Sequence, residues 1–212
     1  MLQNYFTMAW RSLLKNKGFS IINILGLSVG IAFTLLIGAY VWGELRVNHN
    51  LRNADNQYII QSKWKDPNLG FELGTIAELP KALKLLYPTL VANYYHLDAV
   101  TSNISKGDKH FRESIQIGDS TLLNMYGFAL LHGNASKALT DPFSAVITRR
   151  LAIKYFGSTD VVGQTLIIES FSGSKHPFTV SGVLKETGFN SVSNINGVSS
   201  DIFLPEKASV FL

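Results

Sequence analysis

The chain has 212 residues, 46% hydrophobic and 16% charged, with a formal net charge of +4. Residues 1–43 hold no acid and only three bases, Arg11, Lys15 and Lys17, so the remaining 16 bases and 15 acids leave a net charge of just +1 on residues 44–212. No basic stripe falls on a folded domain, which argues against a nucleic-acid partner, and the lack of cysteine excludes disulfides and thiolate metal sites.

Residues 1–17 read as an amphipathic helix. Leu2, Tyr5, Phe6, Ala9, Trp10, Leu13 and Leu14 recur at three- and four-residue spacing, with Asn4, Arg11, Lys15 and Lys17 mostly off that face. Such a helix suits the headgroup region, its bases meeting anionic lipid. A plain helical extension of the next segment is the simpler reading. Gly18 offers a place to bend between the two.

From Gly18 to Gly43 there are 26 consecutive residues without a formal charge. About 20 apolar residues at 1.5 Å each cross a hydrocarbon core of roughly 30 Å, and soluble helices are rarely this long and apolar on every face. A cleaved signal peptide would have a shorter apolar run and a small-residue cleavage site, and Ala39-Tyr40-Val41-Trp42 offers none. The segment is expected to span a membrane and stay attached. Three bases and the amino terminus before it, against Arg46 and Arg52 after it, favour a cytoplasmic N terminus by a small margin. Tyr5, Trp10, Arg11, Lys15 and Lys17 are expected to anchor one interface, and Tyr40 and Trp42 the other. Gly26, Gly30, Thr34 and Gly38 fall every four residues, the spacing that lets a second membrane helix approach closely. The expected organisation is an amphipathic cytoplasmic-face helix at 1–18, a transmembrane helix at 19–43 and a soluble domain at 44–212.

Past Glu44 the pattern breaks into short mixed segments. Gln57–Trp64 predicts a strand, and Ile76–Tyr87 a helix with Pro80 in its first turn and Pro88 after its end. Strands are predicted near Val91–Ile104 and His110–Ile117, with Lys106-Gly107-Asp108 as the turn. Ser120–Tyr126 predicts a short helix. Ala145–Thr148 predicts a strand feeding the helix Arg149–Phe156, which Gly157 stops. Thr165–Glu169 and Phe178–Leu184 predict strands around a Ser/Gly loop at 170–175. The uncharged stretch Gly188–Ser200 predicts a mobile loop, Asp201–Leu204 a strand, and Pro205 onward the start of a helix. The class is α+β.

No catalytic constellation is legible. Gly157 to Gly163 superficially suggests a phosphate loop, but it has one residue too many and Gln164 in place of the lysine. Ser12-Leu-Leu-Lys15 and Ser172-Gly-Ser-Lys175 have serine–lysine spacing without the partner elements of penicillin-binding enzymes. His49, His96, His110, His132 and His176 are scattered without metal-ligand spacing. Asn103-Ile-Ser105 and Asn134-Ala-Ser136 are acceptor sequons that matter only in a eukaryotic secretory pathway. No catalytic residue, metal or cofactor is assigned.

Several stretches carry a resemblance. Asn4-Tyr5-Phe6, Ala9 through Ser20, Asn23-Ile24, Gly26-Leu27 and Gly30 resemble the start of MacB/FtsX-like ABC transporter permeases. Asn53-Ala54-Asp55 with Tyr58 resembles that family's lead into its periplasmic core domain. Ser144-Ala-Val-Ile-Thr148, Leu151-Ala-Ile-Lys154-Tyr155-Phe156-Gly157 and Val162-Gly163-Gln164 are similar to a characteristic stretch of that domain. Phe178-Thr-Val-Ser-Gly182-Val183-Leu184 is similar to the strand that follows it.

The resemblance implies an inner-membrane subunit with a cytoplasmic N terminus, and a periplasmic α+β core domain built from βαβ-type units. It further implies a cytoplasmic ABC ATPase as partner, a homodimer or permease partner, and a periplasmic adaptor. In MacB-like pumps the ATPase cycle moves the periplasmic domains through the membrane helices, and other members extract lipoproteins, sense peptides or control cell-wall hydrolases. The resemblance also implies more periplasmic chain and further spans beyond Leu212, so a fragment or truncated product is expected. The competing expectation is a stand-alone, single-span, membrane-anchored binding or sensor module.

Overall fold

The computed structural model describes residues 2–66, 74–188, 190–195 and 197–212. Contacts divide the chain into two units, residues 1–47 and 48–212.

The first unit is two helices, α1 (Leu2–Lys15) and α2 (Lys17–Leu45). The break falls at Asn16, φ −112° and ψ 53°, and not at Gly18, which lies inside α2. The Ser20 hydroxyl donates to the Leu13 carbonyl at 3.0 Å. In an unbroken helix residues seven apart are separated by about 10 Å, so this bond requires a bend. It also satisfies a carbonyl that the interrupted ladder leaves without its usual partner.

The second unit opens with a 3₁₀ turn at Ala54–Asn56 and α3 (Leu79–Leu86), with Pro80 in its first turn. A hairpin follows, β1 (Leu97–Lys106) and β2 (Lys109–Gly118), paired from Leu97↔Gly118 to Lys106↔Lys109. Gly107 at φ 55° supplies the left-handed position that the two-residue turn requires. Next come α4 (Leu122–Tyr126), β3 (Leu130–Gly133), β4 (Ser144–Thr148) and α5 (Arg149–Phe156). The chain continues through β5 (Thr165–Glu169), β6 (Lys175–Leu184), and a small hairpin of β7 (Asn194–Ile195) and β8 (Val198–Ser199). It ends with β9 (Ile202–Pro205) and a 3₁₀ helix at Glu206–Phe211.

Seven strands form one mixed sheet in the order β3-β6-β4-β9-β2-β1-β5, and β5 also pairs with β6. The pairings therefore close a six-strand ring, with β3 added on the side of β6 that β5 vacates. β4 and β6 are parallel, and α5 makes the crossover between them with β5 on the way back. This is the βαβ-type unit within an α+β fold.

Residue alternation along the strands gives each face a core. Ala145 and Ile147 on β4, with Ile202 and Leu204 on β9, join Ile104, Ile115, Leu166, Ile168, Phe178 and Val180, and α5 adds Leu151, Ala152 and Tyr155. Val146 and Phe203 face the other way, into Leu51, Leu122, Leu123, Phe128, Leu139 and Leu184. This double burial explains why β4 and β9 read as continuous apolar runs without alternation.

Several expectations change. Residues 57–64 form no strand, and Tyr58 and Ile59 are 85% and 70% exposed; β-branched and aromatic composition does not by itself supply the pairing that a ladder requires. The first hairpin strand starts at Leu97, so Val91–His96 lie outside it. β3 escapes sequence reading because Leu130–Gly133 holds no β-branched residue and ends in glycine. The stretch 188–200, of which Phe189 and Asn196 lie outside the described residues, holds the β7–β8 hairpin and an Asn190-centred turn.

Candidate functional site

The expected membrane anchors all lie on the first unit. At 100° per residue, Phe6, Trp10 and Leu13 share one side of α1 with Tyr5 at its edge, while Arg11 and Lys15 project opposite. Tyr5 and Trp10 are exposed at 67% and 58%. Lys17 opens α2, and Tyr40 and Trp42 stand one turn from its far end. Lys17 and Trp42 are 25 residues apart, about 37 Å along a helix. No residue of α2 is buried, and its mean hydropathy of 2.2 over an 18-residue window fits a membrane span by length and composition. Arg46 follows the last turn with its guanidinium 4.8 Å from the Trp42 ring centroid. A cation at that position also complements the negative end of the helix dipole.

Gly26, Gly30 and Thr34 line a groove of about 420 Å³ together with Leu27, Ile31 and Leu35. Gly38 lies one turn further along with open space around it. The Thr34 hydroxyl donates to the Gly30 carbonyl at 2.9 Å, so this polar group needs no partner from a surrounding hydrocarbon phase. Within the second unit, α5 is fastened to the sheet at both ends.

At the head of α5 the Thr148 hydroxyl accepts from the Leu151 N–H at 3.2 Å, an N-cap, and donates to Asp201 Oδ1 at 2.7 Å. Arg150 grips both oxygens of the same carboxylate, through Nε at 3.2 Å and through Nη2. The hydrogen bond and charge of Asp201 push the Arg150 guanidinium further up from its ordinary value.

One and a half turns on, Lys154 Nζ lies 2.6 Å from Glu113 Oε1, and the Tyr155 hydroxyl donates to the same oxygen at 3.0 Å. Burial, followed by this bond to a carboxylate, raises the Tyr155 phenol. Lys109 Nζ donates to the carbonyls of Lys154 and Tyr155 at 2.7 and 3.1 Å, covering the end of the helix. Gly157 then turns left-handed at φ 74° and stops it. The run Thr148 to Gly157 is thus a helix cap, two grips on Glu113 and a stop.

A second buried polar group lies on the opposite core. Gln116 is fully buried, its Nε2 donates to the Tyr95 hydroxyl at 3.0 Å, and its Oε1 has no protein partner. Burial raises the Tyr95 phenol well above its usual range and pushes Tyr126 up to about 12. Gly118 packs closely beside them, because an added Cβ would lie 2.8 Å from the His96 carbonyl oxygen and 2.6 Å from the Tyr95 oxygen.

These clusters hold the fold together. Both buried acids, Glu113 and Asp201, have cationic partners, and among the described residues no group of three or more His, Asp or Glu could hold a metal. Ser172 lies in a turn with its hydroxyl among those of Ser170 and Ser174. Sequence reading found Thr148, Lys154, Tyr155 and Gly157 as a pattern but missed Glu113 and Asp201. The Lys154–Glu113 and Arg150–Asp201 pairs span 41 and 51 residues. The only local trace was an acid in each of two otherwise strand-like runs.

The model of a family described as the MacB-like periplasmic core domain matches residues 20–211. The chain belongs to this family. The fold has solved counterparts. The periplasmic region of MacB from Actinobacillus actinomycetemcomitans aligns with a TM-score of 0.52 and 13% identity, over 77% of this chain and 72% of that one. A domain of a Porphyromonas gingivalis protein assigned as a permease aligns at 0.41 and 26% identity, over 53% and 44% of the two chains. The extracellular domain of the noncanonic ABC-type transporter YknZ from Gram-positive bacteria aligns at 0.39 and 17% identity, over 53% of each chain. The chain thus spans about half the length of those last two structures. No curated protein matches it. The chain is therefore a member of the MacB-like periplasmic core domain family, and among the described residues it has one helix long and apolar enough to cross a membrane.

Proposed function

We propose that this chain is the first span and core domain of an ABC permease subunit in a bacterial inner membrane. In this reading the N terminus and α1 lie at the cytoplasmic face, α2 crosses the bilayer, and the MacB-like domain lies in the periplasm. A cytoplasmic ATPase drives movement of that domain through the membrane helices, for export or extracytoplasmic signalling. The observation that carries the reading is a 29-residue apolar helix without a buried residue, joined to a domain of this family. The groove over Gly26, Gly30 and Thr34 supports a helix–helix contact, with a second copy or another permease span as partner.

Orientation is testable because the chain has no cysteine of its own. Ser172→Cys in intact spheroplasts should react with a membrane-impermeant maleimide, and a Gln3→Cys variant should react only after lysis. The opposite pattern would sink the topology. Gly30→Leu fills the groove and should weaken assembly, measured by energy transfer between labelled copies or by co-purification with a partner span. Unchanged assembly would remove the packing role from this face.

A further inference from the structure

Two residues, Arg46 and Val47, separate the end of α2 from Asn48, where the second unit begins. Asn48 has a left-handed backbone at φ 67°, which asparagine tolerates better than most residues. Its side chain meets Ser191, 143 residues further on, through three bonds. Nδ2 donates to the Ser191 hydroxyl at 2.9 Å, and Oδ1 accepts from the Ser191 N–H at 2.7 Å and from the hydroxyl at 3.1 Å.

The receiving turn is itself fixed. Buried Asn190 accepts from the N–H groups of Val192 and Ser193 at 3.0 and 2.8 Å, and from the Ser193 hydroxyl at 3.1 Å. Beside it Leu51, 6% exposed, joins the same core cluster as Val192. Ser200 N–H donates to the Ser193 carbonyl at 2.9 Å, a bond that bypasses the β7–β8 hairpin. The next residue is Asp201, which holds Thr148 and Arg150 at the head of α5.

We propose that Asn48 and Ser191 form a latch that delivers movement of α2 to β9 and the head of α5. With the latch open, a load would draw out the turn over Arg46 to Asn50, about 17 Å of chain at full extension, before Leu51 took it up. With it closed, only Arg46 and Val47 intervene. The proposal rests on the permease reading, which requires movement of α2 to reach the domain.

The test is hydrogen exchange on the full chain in phospholipid nanodiscs, comparing wild type with Asn48→Gly, which keeps the left-handed backbone and removes the amide. Exchange should rise about tenfold in residues 190–195 and also in 198–205, while residues 176–184 stay unchanged. Faster exchange in 190–195 alone would reduce the latch to a local clasp and overturn the transmission. No change in either would overturn the latch itself. If Asn48→Gly loosens the whole domain, Ser191→Ala, which removes two of the three bonds, is held to the same outcomes. The measurement needs no ATPase, so it can fail while the permease reading stands, and the reverse.

Discussion

Replacing Lys154 with methionine isolates the value of the ion pair behind α5. Glu113 is 8% exposed, and its Oε1 receives Lys154 at 2.6 Å and Tyr155 at 3.0 Å. Methionine keeps an apolar stem near the Phe111 ring, which the Lys154 ammonium approaches at 4.1 Å, but it leaves the carboxylate without its cation. Breaking a fully buried pair costs about 3–5 kcal/mol. The Lys154 side chain is 38% exposed, so water reaches the pair and the expected cost falls to about 2 kcal/mol. Adding Glu113→Leu removes the stranded charge, and the double variant should recover to within about 1 kcal/mol of wild type. Tyr155 then keeps a long contact to the Ile104 carbonyl at 3.4 Å. Pulse proteolysis of the full chain across a urea series measures all three variants without relying on the helical signal of α1 and α2. A double variant as unstable as the sum of its singles would refute the reasoning, because it would mean the two side chains act independently.

Two glycines separate backbone conformation from crowding. Gly157 is left-handed with nothing near its missing Cβ, so Gly157→Ala should cost about 1 kcal/mol by the same proteolysis assay. At Gly133, φ 104°, an added Cβ would lie 2.5 Å from the Ser181 carbonyl oxygen on the paired strand, so Gly133→Ala should cost roughly 3 kcal/mol or more. Equal costs would refute the register of β3 on β6. Raised phenols at Tyr95, Tyr126 and Tyr155 predict alkaline sensitivity. The folded state holds protons that the unfolded chain releases from pH 10 upward, so their stabilisation is complete below pH 10 and is lost as pH rises through the folded values. Unfolding followed at pH 8 to 12 should show stability falling only above pH 10, and Tyr126→Phe should make the fall shallower. A fall starting near pH 8 would point to other groups.

Local chemistry alone made much of this chain legible. The membrane segment was visible because a run of uncharged apolar residues needs no partner to declare itself. The bounds of α5 could be read to the residue because Thr148 and Gly157 act through their own backbone neighbours. The turn was legible around Gly107-Asp108, although Lys106 belongs to the strand, and Pro80 marked the first turn of α3, which starts at Leu79 and not at Ile76. Where a signal was local but its consequence was not, reading stopped early. Gln57–Trp64 has strand composition without a strand, since a ladder requires a neighbour that composition cannot supply. Gly18 could permit a bend, yet the ladder breaks at Asn16, where the Ser20 hydroxyl takes over the Leu13 carbonyl.

The long-range partners were decided by tertiary structure. Glu113 and Asp201 look like ordinary strand acids until the ring of strands brings β2 and β9 side by side and sets α5 across them. Asn48 looks like linker until it meets Ser191, 143 residues away. The sequence by itself determined that one helix is fit for a bilayer and that an α+β domain follows it. Which polar groups secure that domain, and where its first residue takes hold, depended on contacts between distant segments, because a buried charge or amide is specified by its partner in space.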